Sequence, residues 1–575
     1  MKIKTFGSEV LTWLSRHARE IYAPARKGKA QVNSSRLPDW LPHLRESPLW
    51  AEALGRSANG PRVLIPTSVG GLAAATILEG LLGVALTLRG ANVRFLLCDR
   101  VLPACLHVHA GKIKNTGIIS DYLLKTQVCP GCLARGNAVY QSIGLPVLYY
   151  GSFLTEQDKV DGQQLAHGIP VDEIRTYERD GVALGEHALA GAWRFFAAGN
   201  LPETSEGESI LRRYFEAAIL TDMVTRRIQA QYAPEVAVFH HGIYIPQGII
   251  GEVARSTGMR VANWQVGYRK KCFIFSHHET YHHTLISEPT THWENVVWTT
   301  RLEEVTMSYL KSRWYGTQDW IWFHDQPKHD AEQITRETGL NFSRPTVTLL
   351  TNVYWDAQLH YKANAFRDML DWVLQTIDYF SKRPDLQLAI RIHPAEVRGA
   401  IPSRQPLLDE IIKMYPTLPA NIYVVPPESQ VSTYVLCENS NSVIIYGTKT
   451  GVELTAMGIP VIVAGEAWIR NKGLTRDAVS PETYFAILDE LPVRSRLDKE
   501  TVRRAQKYAF HFFFRRFLPI ECIEPGSAEV PYVIKLENLE DLLPGKDPGL
   551  DVICDGILTG SEFIYPAEAH LGANG

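Results

Sequence analysis

The feature that most constrains this chain is a regular alternation of short β-branched runs with helical stretches that starts at Pro345. It predicts strand Thr346–Thr351, helix Ala357–Phe380, strand Leu386–Ile392, helix Leu407–Met414, strand Ile422–Val425 and helix Ser429–Cys437. Strand Ser442–Tyr446, helix Thr450–Met457 and strand Pro460–Ala464 follow. Strands spaced by helices in this way form a parallel sheet covered by helices. A less regular series precedes it: strand Arg62–Pro66, helix Gly71–Leu88, strand Asn92–Cys98, strand Val236–His240, a helix from near Pro246 to Gly258, and strand Arg260–Gln265. A chain of 575 residues exceeds a single core, since cores stop growing at roughly 250–300 residues. Two large domains with extensions are therefore expected.

The predicted fold class is α/β, with two Rossmann-like domains facing a central cleft and helical N- and C-terminal extensions. Ligands of such sheets bind outside the carboxyl ends of the strands. The division expected is 1–55 as an N-terminal helical extension and 56–335 as a first domain with a Cys-rich insertion at 98–132. Residues 340–500 form a second domain, and 501–575 a helix and tail packing back across both. A net charge of −3 gives no general attraction to nucleic acid. Met1 to Arg26 lacks the uninterrupted apolar core of a secretory signal and reads as a cytoplasmic amphipathic helix. Leu72 to Leu88 contains Glu79 and glycines and falls short of the roughly 20 residues a bilayer requires, so no transmembrane helix is expected.

The strongest motif is Tyr446-Gly447-Thr448-Lys449-Thr450-Gly451-Val-Glu453, where a strand ends, a short turn supplies hydroxyls and a lysine, and a helix begins. Helix starts of this kind bind phosphate, although an ordinary capped turn has the same outline. Arg391-Ile-His393-Pro394 follows a neighbouring strand and should emerge at the same sheet edge, where it can donate to a phosphate oxygen.

Together with Trp468-Ile-Arg-Asn-Lys472-Gly473-Leu-Thr475, these motifs resemble those of bacterial capsule polysaccharide biosynthesis proteins, which include Kdo transferases. The resemblance is close over residues 345 to 480. It implies a GT-B-like glycosyltransferase that moves a sugar from a nucleotide-sugar donor, a CMP-sugar first, to a surface or capsular polysaccharide acceptor. It further implies that Arg391, His393, Gly447, Thr448, Lys449, Thr450, Gly451, Glu453 and Lys472 form the donor site, with His393 on the phosphate and Glu453 toward the ribose or sugar. Threonines separated by Lys449 stand where the family has paired serines, and its Gln-x4-Asp stretch is replaced by Asn352-Val-Tyr-Trp-Asp356.

An inverting transferase needs a general base near the acceptor hydroxyl. Asp356 is the first candidate, His240 and His241 after the strand Val236–Phe239 the second, and Glu279 the third. His277, His278, His282 and His283 fit an acceptor lining, helped by Tyr268 to Lys271, better than a metal site. Catalysis is expected to need no cofactor. Cys98, Cys105, Cys129 and Cys132 could complete a four-thiolate structural zinc site, with an iron–sulfur cluster or unliganded thiols as the other readings. The aromatic and arginine-rich run from Arg503 fits either interdomain packing or a peripheral contact with the inner membrane. The expected partners are the nucleotide-sugar donor and a glycan or lipid-linked glycan acceptor, with no nucleic acid. A teichoic-acid-type polyol-phosphate transferase and a non-catalytic polysaccharide-binding or export scaffold are the alternative functions.

Overall fold

The computed structural model describes residues 37–111, 124–320, 323, 327, 330–357, 359, 363–527 and 530–572. The amphipathic helix expected over Met1 to Arg26 lies outside the described residues. Two parallel-rich sheets organise the molecule. The first runs in the order β13-β6-β5-β4-β1-β2-β3 and the second β12-β11-β10-β7-β8-β9.

In the first sheet, β1 (Arg62–Ser68), β2 (Asn92–Leu97), β3 (Val147–Tyr149), β4 (Val236–His240) and β5 (Arg260–Val266) are parallel. Next to β5 lies antiparallel β6 (Cys272–His277), a strand that the sequence reading did not anticipate. Between β1 and β2 runs helix α1 (Ala73–Leu88), buried on nearly every face. An all-round apolar helix is either a membrane span or the centre of a large core. Here it is the latter, packed with the strands and with the C-terminal helix Pro548–Thr559. Among the described residues no helix is long and apolar enough to cross a membrane. After β2 come helix α2 (Cys129–Ile143), whose C-terminus is closed by Gly144 at φ 79°, and then α3 (Leu184–Phe196) and α4 (Ser205–Tyr232).

The second sheet comprises β7 (Thr346–Leu350), β8 (Gln387–Arg391), β9 (Ile422–Val425), β10 (Ser442–Ile445), β11 (Val461–Val463) and β12 (Arg476–Asp477), all parallel. Two helices start later than expected: the one read from Ser429 spans Thr433–Glu438, and α5 spans Met369–Ser381 rather than starting at Ala357. The Asp368 carboxylate accepts the N–H of Asp371 and caps it. Upstream, the backbone bonds outward instead of into a helix: Ala365 N–H reaches the Ala464 carbonyl and Ala363 N–H the Glu466 carboxylate.

Helix α6 (Lys499–Phe510) continues through a wider turn at His511–Arg515, and Phe510, Phe512, Phe513 and Phe514 are all buried. The aromatics that suggested an interfacial helix are spent in a core shared with elements flanking both sheets. Beyond them β13 (Phe517–Pro519) joins the first sheet antiparallel to β6, and hairpin β14 (Ile523–Pro525) and β15 (Tyr532–Ile534) folds over it. Two Rossmann-like units facing one another, as expected, thus share a C-terminal tail.

Candidate functional site

Each sheet has a point where successive strands part to opposite sides, between β1 and β4 in the first and between β7 and β10 in the second. Crevices open at such points in α/β sheets. The loops leaving β4, β7, β8 and β10 converge on one cavity of about 930 Å³, lined by His241, Asn352, Asp356, His393, Thr448 and Lys449 among others.

His393 is set by two contacts. Its backbone N–H donates to Thr351 Oγ1 at 3.0 Å, and its Nδ1 accepts the Ala395 N–H at 3.1 Å. A backbone N–H is an obligate donor, so Nδ1 is unprotonated and a neutral ring carries its hydrogen on Nε2. Burial, with Lys449 and Arg391 nearby, lowers its pKa to about 3. His393 therefore presents a neutral N–H donor to the cavity rather than a cation.

In the loop after β10, Thr448 Oγ1 and Thr450 Oγ1 lie 3.1 Å apart, and the Gly447 N–H donates to Asn352 Oδ1 at 3.3 Å. Gly451 lies beneath the loop; a Cβ there would stand 2.6 Å from Ile445 Cδ1. Lys449 Nζ pairs with Glu453 Oε1 at 3.0 Å and sits 4.6 Å from the centroid of the Tyr268 ring. Burial and neighbouring Arg313 lower the pKa of Lys449. Glu453 is fully buried: burial alone would raise its carboxyl, but Arg313 and Lys449 hold it below the ordinary value. Arg313 Nε is 3.1 Å from its Oε2, and Tyr434 OH also donates to that oxygen.

Several expected ligand residues are thereby displaced. Glu453 does not line the cavity and serves as the anchor of Lys449 and Arg313. Arg391 reaches the cavity wall, yet its guanidinium donates to the Pro426 and Ser429 carbonyls and is spent holding the loop after β9. Lys472 is buried away from it, donating to the Ile286 and Glu288 carbonyls at 3.3 and 2.9 Å. Glu279 pairs with His283, which also meets Glu466 at 3.3 Å. His240 turns to Gln265, at 2.7 Å. Of Tyr268 to Lys271 only Tyr268 lines the cavity, since Arg269, Lys270 and Lys271 bond to Phe513, Thr317 and Glu524.

Asp356 and His241 face the cavity from opposite sheets. Asp356 Oδ1 accepts from Tyr244 OH at 2.6 Å, and the Ala357 N–H donates to the same hydroxyl at 2.6 Å. Ala357 adopts φ 54°, a strained conformation for a residue with a Cβ, of a kind that concentrates at functional sites. His241 sits at φ 66°, and burial, with His240, His282 and Arg194 nearby, keeps its ring neutral.

Residues the sequence reading missed complete the wall. Tyr281, Trp320 and, from the tail, Ser527 and Tyr532 border the cavity. Tyr281, shortly after β6, carried the one available signal, an aromatic near a strand end; nothing local marked Trp320 or the tail hairpin.

No curated protein matches the chain. Among solved structures it is similar to the Thermosulfurimonas dismutans KpsC beta Kdo 2,4 transferase, at 13% identity over 49% of this chain and 80% of that one, with TM-score 0.32. The beta Kdo 2,7 transferase of the same organism's KpsC gives 11% identity, 56% and 88% coverage and TM-score 0.30. The spinosyn rhamnosyltransferase SpnG gives 12%, 78% and 95%, with TM-score 0.22. Residues 314–487 match the family model described as capsule polysaccharide biosynthesis protein. That match spans the part of the chain that carries His393, Asp356 and the Thr448 loop, the part in which the motif resemblance lies.

Proposed function

We propose that this protein is a glycosyltransferase that moves a sugar from a nucleotide-sugar donor, a CMP-sugar first, to a surface or capsular polysaccharide acceptor. The observation that carries the reading is the convergence of His393, Thr448, Thr450 and Asp356 from separate strand ends on one cavity between two Rossmann-like sheets. The family of residues 314–487 supports the substrate class, and the CMP preference rests on the motif resemblance.

In this reading His393 Nε2–H and the hydroxyls of Thr448 and Thr450 hold the donor phosphate and stabilise charge as the nucleotide departs. Preorganised donors in a water-poor site do this without reorganisation cost. Asp356, held by Tyr244, accepts the proton of the acceptor hydroxyl. Between the two base candidates the chemistry favours Asp356. A general base works best with a pKa near the working pH, and the strongly depressed His241 ring is a poor proton acceptor. His241 then orients the acceptor. No step here draws on a metal. The buried aromatics of α6 lend no support to a membrane contact, so a glycan acceptor reached from solution is the simpler partner.

The test is donor turnover by the purified chain, using CMP-, UDP-, GDP- and CDP-linked donors, CDP-polyols included, with a glycan acceptor. Release of CMP from a CMP-sugar, abolished by D356N, is the expected result. Release only from a CDP-polyol would replace the reading by polyol-phosphate transfer. If no donor is turned over or raises the melting temperature, the enzymatic reading fails.

A further inference from the structure

Cys98, Cys105, Cys129 and Cys132 line one small void, but among the described residues no group of three or more His, Cys, Asp or Glu could hold a metal ion, so the expected four-thiolate site does not fit them. Unassigned chemistry lies at the cleft instead, in the hydroxyl of Tyr244. This residue follows β4 by four positions. His241 and Gly242 in between take φ 66° and 75° in succession, which turns the chain sharply. A Cβ at Gly242 would lie 2.7 Å from Asn263 Nδ2. The turn delivers Tyr244 to the start of the helix Gln247–Ser256, where its carbonyl accepts the Gly248 N–H at 2.8 Å. The preceding Ile243 carbonyl meets His187 Nδ1 at 2.6 Å. The ring packs with Val69, Leu106 and Ala190 and is only 3% exposed.

Asp356 is the opposite case. It is exposed to the cleft, and an exposed carboxylate can change rotamer at little cost. The buried phenol supplies the fixed point, donating to Asp356 Oδ1 at 2.6 Å. The sense of that bond follows from a second contact. The Ala357 N–H, an obligate donor, reaches the same phenol oxygen at 2.6 Å, so the phenol hydrogen is directed to the carboxylate. Burial, with the Asp356 charge beside it, pushes the phenol well above its ordinary value, so Tyr244 keeps its proton. Three charged or titratable groups face the ring: Asp356, Arg194 of α3, and His241. The Arg194 guanidinium carbon lies 5.1 Å from the ring centroid, and the His241 ring centroid 5.0 Å from it. A cation over an aromatic face draws on the ring's electron density, which makes the hydroxyl a stronger donor.

We propose that Tyr244 is a positioning residue for the acceptor base: its hydroxyl, carried by the first half of the molecule, orients the Asp356 carboxylate of the second and favours the ionised form. The base is then competent only while the two halves stand in register across the cleft. This inference rests on the sugar-transfer reading of the cavity. In the transfer step the acceptor hydroxyl gives its proton to the Asp356 carboxylate and its oxygen bonds the anomeric carbon. The bond from that carbon to the phosphate oxygen breaks, and its electron pair leaves with the nucleotide. Tyr244 neither gains nor loses a proton in that step. A donor bound while the halves are apart meets no oriented base, which protects the activated sugar from water.

The experiment follows CMP release from a CMP-sugar by the full chain with a glycan acceptor, between about pH 4 and pH 9. Y244F removes the hydroxyl and keeps the ring. It should lower kcat about 10- to 100-fold, the scale of one hydrogen bond to a charged group, with donor KM unchanged. The acid limb of its rate profile should move up by about one pH unit, because a hydrogen bond to the ionised form favours that form and its loss does the reverse. Tyr244→3-fluorotyrosine, a stronger donor of nearly the same size, should move the limb down, and it decides the matter where Y244F folds poorly. In a D356N background Y244F should cost nothing further, since a residue that acts through Asp356 has nothing left to hold. An acid limb that neither variant moves, or losses that multiply in the double variant, would overturn the role of Tyr244 while leaving sugar transfer intact. A wild-type chain that releases no nucleotide would instead end the sugar-transfer reading, and this inference with it.

Discussion

The two sheets share a strand plan yet reach it by different routes. In the second, β7 to β12 follow one another over residues 346–477 with all neighbours parallel. In the first, β3 and β4 are separated by the helices of 150–232, β6 reverses direction, and β13 arrives from residue 517. The consequence for the site is direct. His393, Thr448 and Thr450 sit at strand ends of one regular series, whereas His241 and Tyr268, also just past strands read from the chain, meet Trp320 and Tyr532 only after distant segments have packed. The side proposed to face the donor phosphate is local chemistry on a regular scaffold; the opposite side is an assembled wall.

Four substitutions test this contrast. The largest effect belongs to the contact between the halves: D356N should lower turnover about 10³-fold with donor affinity unchanged, since a positioned base contributes about 10²–10⁴. H241N on the assembled wall should cost about tenfold, mainly in acceptor KM, as expected for loss of one or two hydrogen bonds. Equal losses in the two variants would reverse their assigned roles.

H393A should lower turnover about 10²-fold, the scale of one lost donor to a developing charge. Because His393 is neutral down to about pH 3, it should add no step near pH 6.5 to the rate profile. A step there that disappears in H393A would show an imidazolium at work and break the neutral-donor reading. T448V should raise donor KM about tenfold and leave acceptor KM unchanged, a split that separates the two walls.

The smallest effect concerns stability. Each half buries a carboxyl pushed up mainly by burial, Glu79 to about 7 and Glu396 to about 8. Both folded values exceed the unfolded one, so the stability they contribute is whole below about pH 4.5 and is lost as pH rises through 7 and 8 respectively. E79Q should flatten the earlier part of the alkaline decline in Tm and E396Q the later part, each by about 2 °C. The readout is Tm between pH 5 and 9. The buried His393, and His282 with its pKa near 3, act oppositely. Their folded values lie below the unfolded one, so their contribution is present above about pH 6.5 and is lost as pH falls toward 3.

Much of the second sheet could be read from the chain, because alternating strand and helix patterns record which faces are buried. The His393 and Thr448 loops were legible for the same reason: a strand end is a local event. Glu453 and Lys472 show where that legibility stops. Both have ligand chemistry and near-loop positions, yet Glu453 is paired with Arg313 and Lys449, and Lys472 is spent on helix-end carbonyls. A carboxylate or ammonium looks the same in sequence whether it meets a ligand or a buried partner.

The sequence by itself determined two α/β units, the parallel strand ends at Ile392 and Tyr446, and the residue types able to hold a phosphate, because periodicity and turn chemistry act over a few residues. Tertiary structure alone decided that β13 and the hairpin ending in Tyr532 return to the first sheet, that Tyr244 clasps Asp356, and that four cysteines share one void. Those contacts join residues separated by tens to hundreds of positions, and only the packing of the whole chain brings them within bonding distance.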